Sequence, residues 1–308
     1  MEQKEFAREQ LLLSGAVAVG FAEARPVDEK VMLDYSRWIE KGWHAGMDYL
    51  ERHYPLKSNP ESVLPGVRTV ISLAFGFYPK KKRNLNLPEI ASYALGDDYH
   101  DVLRKRLQPI TGNLKNIFGG EWRICIDSAP LSERFWAQRS GIGHIGRNGM
   151  LIVDGWGSYV MLAEVLTSIP FSPDKPASAG CKVCDLCVRS CPGKALNPDG
   201  TIDCRRCISY LSIEHRGEWT PSMKEVMTTP PADKILYGCE RCLSVCPHNK
   251  AIPSSPIDEF TLRDEYSSIT FANASSFTQE QFSKIFKSSP IKRCKLEGFL
   301  RNARNLKP

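Results

Sequence analysis

Nine of the eleven cysteines in this 308-residue chain lie between Cys181 and Cys246, and their spacing could do electron chemistry. In Cys181-x2-Cys184-x2-Cys187-x3-Cys191-Pro192, three closely spaced thiolates can hold three irons of one [4Fe–4S] cube while the fourth reaches a second cube. A stretched copy follows, with Cys207 and then Cys239-x2-Cys242-x3-Cys246-Pro247. Exchange between the copies assigns Cys181, Cys184, Cys187 and Cys246 to one cluster and Cys191, Cys207, Cys239 and Cys242 to the other. Cys204, three residues before Cys207, could compete for the same iron, and spacing alone leaves that choice open. Zinc is the competing reading, but structural zinc sites favour two C-x2-C pairs or Cys/His mixtures. Cys125 and Cys294 stand apart and read as small buried hydrophobes. Two clusters in sequence make a relay for single electrons, so the rest of the chain should hold a cofactor or a reducible substrate.

Two features upstream could belong to that acceptor. Ser140 to Gly149 reads SGIGHIGRNG, and GIGHIG matches G-x-G-x-x-G. A dinucleotide loop must follow a strand and open a helix, because the phosphates rest on the helix N-terminus. Here the helical pattern PLSERFWAQRSG comes first and the strand GMLIV comes after. Glu164 lies at the distance of a ribose-binding acid, but within a strand pattern. The glycines therefore read as a tight helix-to-strand connection needing positive φ, or as a close backbone approach to some other large flat ligand. Asp127 ends the strand EWRICI and reads either as a cap for the next helix or as a carboxylic acid at a strand end. In the second case it could donate a proton if burial or a neighbouring anion raised its pKa.

The elements that must position these groups follow from periodicity. Residues 5–14 read as a helix and AVAVGF as a strand. DEKVMLDYSRWIEKGWHAGMDYLERH reads as one long amphipathic helix or a helix pair, and TVISLAFGFYP as a buried strand ended by Pro79. YHDVLRKRLQPITGNLKNIF is predicted helical with a kink or break at Pro109. In PLSERFWAQRSG, Pro130 is expected in the first turn and Gly141 at the stop. GMLIVDGWGSYVMLAEVLTS reads as strand, glycine turn, strand. The pattern is that of an α+β domain with a mixed or antiparallel sheet over residues 1–170. A Pro/Ser-rich joint at 169–180 leads to the cysteine-rich domain, 171–250, and a basic, helical C-terminal segment covers 251–308.

Lys and Arg exceed Asp and Glu by 41 to 35, and the basic clusters at 80–83, 104–106, 205–206 and in the tail suit a polyanionic partner. No run approaches the roughly 18 apolar residues of a membrane span. The N-terminus carries Glu2, Glu5 and Glu9 where a signal peptide is basic, so a cytoplasmic protein with reduced thiols is expected.

The chain resembles the epoxyqueuosine reductases, cobalamin-dependent iron–sulfur enzymes of the last step in making the queuosine base of tRNA. The resemblance rests on PESVLPGVRTVISLAFGFYP, YALGDDYHDVLRKRLQ, DSAPLSERFWAQRSGIGHIGRNGMLI, CISYLSIEHRG, YGCERCLSVCPHN and FLRNA together with the cysteines. It implies a nitroreductase-like, corrinoid-binding first domain, a ferredoxin-like domain with two [4Fe–4S] clusters, and a short helical C-terminal segment, with cobalamin held between the first two. It favours Cys207 over Cys204 as ligand and makes Asp127 the general acid for the departing epoxide oxygen. Gly141, Gly143, His144, Ile145, Gly146, Arg147 and Asn148 become candidates for lining the corrin. His144, Arg147 and Asp97 depart from the family pattern, where Trp, Lys and a basic residue are expected. The implied partners are tRNA carrying epoxyqueuosine at the wobble position and a flavodoxin- or ferredoxin-type reductant, acting on a monomer with no membrane association. Lys81, Lys82, Arg205, Arg206, Arg216 and Arg301 are candidate tRNA contacts. A dehalogenase-like corrinoid reductase and a non-catalytic electron carrier are the alternatives.

Overall fold

A computed structural model describes residues 2–178, 180–181 and 183–307. Its first half is built around β2 (Thr69–Gly76), whose continuous apolar run is buried along its whole length. β1 (Ala18–Glu23) pairs with one side of β2 and β7 (Val160–Thr167) with the other, and β4 (Trp122–Cys125) lies outside β7. All three pairings are antiparallel.

Side-chain alternation divides the core between the two faces of this sheet. Phe21, Ile71, Leu73, Phe75, Ala163 and Val165 pack against α1 (Glu2–Leu12) and α5 (Tyr99–Phe118), which supply Ala7, Leu11, Leu103, Leu107 and Leu114. Ala22, Val70, Cys125 and Leu166 face Trp136 of α6 (Glu133–Arg139) on the other side. Gly20 is required where α6 ends, because a Cβ there would collide with the Ser140 carbonyl.

Between β1 and β2 the chain forms α2 (Glu29–Glu40), α3 (Asp48–Arg52) and α4 (Tyr54–Lys57). One long helix is ruled out by a reversal at Gly42 and Ala45, both at positive φ. α5 runs through Pro109 without a break, because both Pro109 and Lys105, whose carbonyl loses its helical donor, face solvent. Pro130 lies outside α6, whose N-cap is Ser132, so it is not in the first turn as expected. Gly141 ends α6 at φ 81°. The order helix, glycines, strand is the one found: β5 (His144–Ile145) and β6 (Leu151–Ile152) form a small antiparallel pair directly after α6.

The joint is anchored to the first sheet. Asp174 accepts hydrogen bonds from Lys4 Nζ at 2.6 Å, Arg8 Nη2 at 3.1 Å and the Phe21 N–H at 2.8 Å. Beyond it come α7 (Leu186–Arg189), α8 (Ile208–Ile213), α9 (Pro221–Thr228) and α10 (Arg241–Ser244). β8 (Ile235–Tyr237) pairs in parallel with β3 (Glu89–Ile90), so the first and last thirds share a sheet. A second core joins Leu95 and Tyr237 to Phe286 and Phe299, the latter pair borne by the segment that contains α11 (Phe271–Ala274), α12 (Gln279–Ile285) and α13 (Lys295–Arg304). Among the described residues no helix is long and apolar enough to cross a membrane.

Candidate active site and cluster sites

Cys181, Cys184, Cys187 and Cys246 line one cavity of about 220 Å³, with Arg147, Asn148, Pro247 and His248 among its other walls. α7 and α10 lie side by side in the fold, which carries Cys246 across some sixty residues of sequence to the first three thiols. The other foursome is also drawn together. Burial raises Cys239 to about 12 and raises Cys242 as well, and in both the neighbouring thiols Cys207 and Cys191 add to the effect. Cys204 is raised to about 12, first by burial and then by Cys207, the one other thiol acting on it. Among the described residues no three His, Cys, Asp or Glu converge closely enough to hold a single metal ion. A set of four neighbouring thiols, half-buried or buried, fits a [4Fe–4S] cluster, whose binding displaces their protons. Cys125 and Cys294 are buried apart from both sets.

The glycine loop packs mainly against protein. A Cβ on Gly141 would meet the Lys175 carbonyl, and one on Gly143 or Gly146 would meet Ile152. Arg147 and Asn148 are the loop residues that reach a cavity, the one lined by the first four thiols. Asn148 Oδ1 accepts the Met150 N–H at 3.1 Å, while its buried Nδ2 has no partner among the described residues. His144 is buried beside Gly180 and 5.5 Å, centroid to centroid, from His248. Burial first, then His248, lowers its pKa. Ile145 is exposed.

Asp127 follows β4 and does not cap α6. Its backbone is left-handed, at φ 51°, and its side chain is 60% exposed. The carboxylate lies 3.2 Å from His100 Nε2, whose Nδ1 lies 2.8 Å from Asp98. Asp98 caps α5 by accepting the His100 N–H at 3.0 Å, and this cap places the imidazole in the first turn facing Asp127. The Tyr99 ring stacks on it at 4.1 Å. Burial opposes charge on His100, but the two carboxylates prevail and its pKa rises to about 9. The hydrogen bond with His100 holds Asp127 below the ordinary carboxylate range, with burial opposing. A raised Asp127 pKa is thus not what the structure shows: near neutrality the proton resides on His100 and Asp127 is its ionised partner. His100 was not singled out from sequence. Its signal was an aspartate at a helix start with histidine two residues later.

A groove of about 620 Å³ lies between α5 and the outer edge of β4, lined by Arg104, Lys115 and Arg123 and reaching Ser128–Pro130. Of the candidate tRNA contacts, Lys81 and Lys82 are exposed. Arg205 is paired with Asp203, Arg206 donates to the Gly193 carbonyl, and Arg216 donates to the carbonyls of Ile213 and Arg293. Arg301 is not a surface residue at all: it is 3% exposed and donates to the carbonyls of Leu211, His215 and Gly217.

Paired four-thiol sites in one chain with an imidazole–carboxylate proton store place this protein among the iron–sulfur oxidoreductases. Comparison with known proteins narrows the class. A family model described as epoxyqueuosine reductase QueG, DUF1730, matches residues 57–128, and one described as a 4Fe-4S double cluster binding domain matches residues 180–249. An epoxyqueuosine reductase of Cyclobacterium marinum is 34% identical over 92% of this chain and 90% of its own. That of Escherichia coli K12 is 32% identical over 87% of this chain and 71% of its own. The chain belongs to the epoxyqueuosine reductase family. The crystal structure of an epoxyqueuosine reductase with an epoxyqueuosine-modified tRNA-Tyr stem loop superposes with a TM-score of 0.88 at 27% identity, covering 98% of this chain and 80% of the other. A Bacillus subtilis epoxyqueuosine reductase, captured with an aspartate catalytic loop swung out of its active site, superposes with a TM-score of 0.87 at 27% identity over the same shares.

Proposed function

We propose that this protein reduces the epoxide of epoxyqueuosine in the anticodon loop of tRNA to the cyclopentene of queuosine. The reaction takes up two electrons and two protons and releases the epoxide oxygen as water. Bound cobalamin supplies the reducing centre at the epoxide, and the two [4Fe–4S] clusters supply its electrons. Cys181, Cys184, Cys187 and Cys246 would hold one cluster, and Cys191, Cys207, Cys239 and Cys242 the other. Arg147, and Asn148 with its unpartnered Nδ2, are the loop residues best placed to meet a bound cofactor.

The chain's own part is the proton. An epoxide oxygen leaves poorly as an alkoxide, so an acid must meet it as the C–O bond breaks. The observation that carries the reading is the exposed Asp127 carboxylate 3.2 Å from Nε2 of His100, whose pKa Asp127 and Asp98 raise to about 9. His100 stores the proton, and Asp127 passes it to the oxygen. Asp127→Ala, assayed on tRNA carrying epoxyqueuosine with reconstituted clusters, cobalamin and a chemical reductant, is expected to lose about 10²–10⁴-fold in turnover. A native rate would sink the assignment.

The same reading makes residues 1–170 a nitroreductase-like catalytic domain, 171–250 the ferredoxin-like domain and 251–308 a C-terminal segment buttressing both. It also includes a monomeric protein in the cytoplasm and a flavodoxin- or ferredoxin-type reductant. The basic groove beside Asp127 extends it to the RNA backbone. Arg104→Glu is expected to weaken binding of any tRNA anticodon stem loop, modified or not, and to lower the slope of log affinity against log salt by about 1. An unchanged slope would remove the groove from the binding surface.

A further inference from the structure

Glu164 sits in the middle of β7, wholly buried, on the sheet face covered by α6. Ser72 flanks it on β2 and Cys125 on β4. Among the described residues neither carboxylate oxygen has a hydrogen-bond donor, and the buried Ser72 Oγ and Trp136 Nε1 are equally without partners. A carboxylate ionised in such a place would be an uncompensated buried charge, so it takes up a proton instead. Once protonated, it needs an acceptor.

α6 packs on β7, and Glu133, its first residue, is the side chain that acts most on Glu164, by charge and by hydrogen bonding. Glu133 Oε1 also accepts the backbone N–H of Asp127 at 2.7 Å. The other charged groups facing the two acids are Lys57 on α4, Arg134 on α6 and Asp127 itself, with the Cys125 thiol on β4. Lys57 donates to the Leu131 carbonyl and Arg134 to the Gly149 carbonyl. Neither forms an ion pair with the acids among the described residues, so no cation neutralises them. Burial pushes both acids up, Glu133 next through Asp127 and Glu164 next through Glu133. The loop they meet turns through a left-handed backbone at Asp127, φ 51°, a conformation that few residues other than glycine adopt, and a contact to the Asp127 N–H holds it in place.

We propose that Glu133 and Glu164 form a carboxylic acid–carboxylate pair with one proton between them, and that this pair is the latch seating the Asp127 loop. Glu164 donates its proton to Glu133; Glu133, kept anionic, accepts the Asp127 N–H. Glu133 is a positioning residue, acting on the reaction through Asp127. This role rests on Asp127 being the acid, whereas the shared proton and the latch do not. Raising the pH removes the shared proton, sets two anions against each other and frees the loop.

The test uses the iron–sulfur-loaded protein without substrate. Infrared difference spectra at neutral pH are expected to show a carboxylic acid carbonyl band that Glu164→Gln abolishes. In that variant the neutral amide still donates to Glu133, so hydrogen exchange at the Asp127 amide stays as slow as in the native protein. Glu133→Ala is expected to speed exchange at that amide at least tenfold. Should Glu133→Ala fail to fold, titration of the native protein decides: protection of the Asp127 amide, corrected for intrinsic exchange, must fall together with the acid band as pH rises past neutrality. An acid band that persists in Glu164→Gln, or an Asp127 amide whose protection ignores both pH and Glu133, overturns the proposal. These readouts can fail while Asp127→Ala still abolishes turnover, and the reverse, so the latch and the catalytic assignment are tested apart.

Discussion

In the proposed reaction His100 holds the proton that Asp127 would deliver, and the raised pKa of His100 sets the direction of the pH dependence. Its pKa stands near 9 against an ordinary value of 6.5, so its share of both stability and proton supply is complete below 6.5 and is lost as pH rises through about 9. Asp98 and Asp127 are held low, chiefly by His100 hydrogen bonds acting against burial, so their share fades on acidification into the carboxylate range. The His100 share of native turnover is expected to be lost above about pH 9, beyond any decline that release of the Asp127 loop causes nearer neutrality. His100→Gln, which keeps a polar side chain but cannot hold the proton, should turn over about 10²-fold more slowly and lose that alkaline limb. A pH–rate profile of both proteins checks this, and an unshifted limb in the variant would assign it to another group. Asp127 could be read from sequence because it ended a strand of clear apolar pattern, and the thiols because ligand spacing is nearly a covalent constraint. His100, Glu133 and Glu164 could not, since a helix cap, a first-turn glutamate and a strand glutamate become one proton network only after β4, β7, α5 and α6 have packed.

Elements were legible in type and less so in detail. The four strands of the main sheet and the helices α1, α5 and α6 that cover it follow the expected patterns, because their apolar residues coincide with burial. Pro109 does not end α5: the Lys105 carbonyl that it leaves without a helical donor faces solvent, and a proline inside a helix can bend it without ending it. Arg301 misled because charge alone cannot distinguish a cation facing solvent from one that caps carbonyls. α13 buries Arg301 and Asn302 against α8 and β8, where Asn302 Nδ2 donates to the carbonyls of Ser212 and Leu236 at 2.8 and 2.9 Å. Arg301→Ala would leave three carbonyls short of a donor, at a cost on the order of 3 kcal/mol. Arg301→Lys should recover only part of that, because a single ammonium cannot copy the planar fork. Denaturant unfolding measures both. Normal stability with weakened, salt-dependent tRNA binding would restore Arg301 to the RNA surface.

At the scale of the molecule the two cluster sites are bound unequally to the rest of the fold. The first is a cavity at the edge, with exposed Val183 and partly exposed Leu186 in its wall. Two thiols of the second, Cys207 and Cys239, sit in an apolar shell with Ile208, Leu211, Met227 and Ile235. That shell continues through β8 into the strand pair with β3 and through Ser212, whose Oγ accepts the Gly238 N–H at 2.9 Å, toward α13. Metal binding is folding free energy where the site does not exist without it, so removing iron should not act uniformly. Anaerobic chelation is expected to speed hydrogen exchange in α8, β8, β3 and α13 while β1, β2 and β7, closed by α1 and α5, remain protected. The same map separates Cys204 from Cys207. Cys207→Ser should lose the second cluster's iron and show the loosened pattern in protein purified without chelator, whereas Cys204→Ser should keep its iron and the native pattern. Identical iron loss in both variants would move the fourth ligand to Cys204, and uniform loss of protection on chelation would show that the main sheet has no stability of its own.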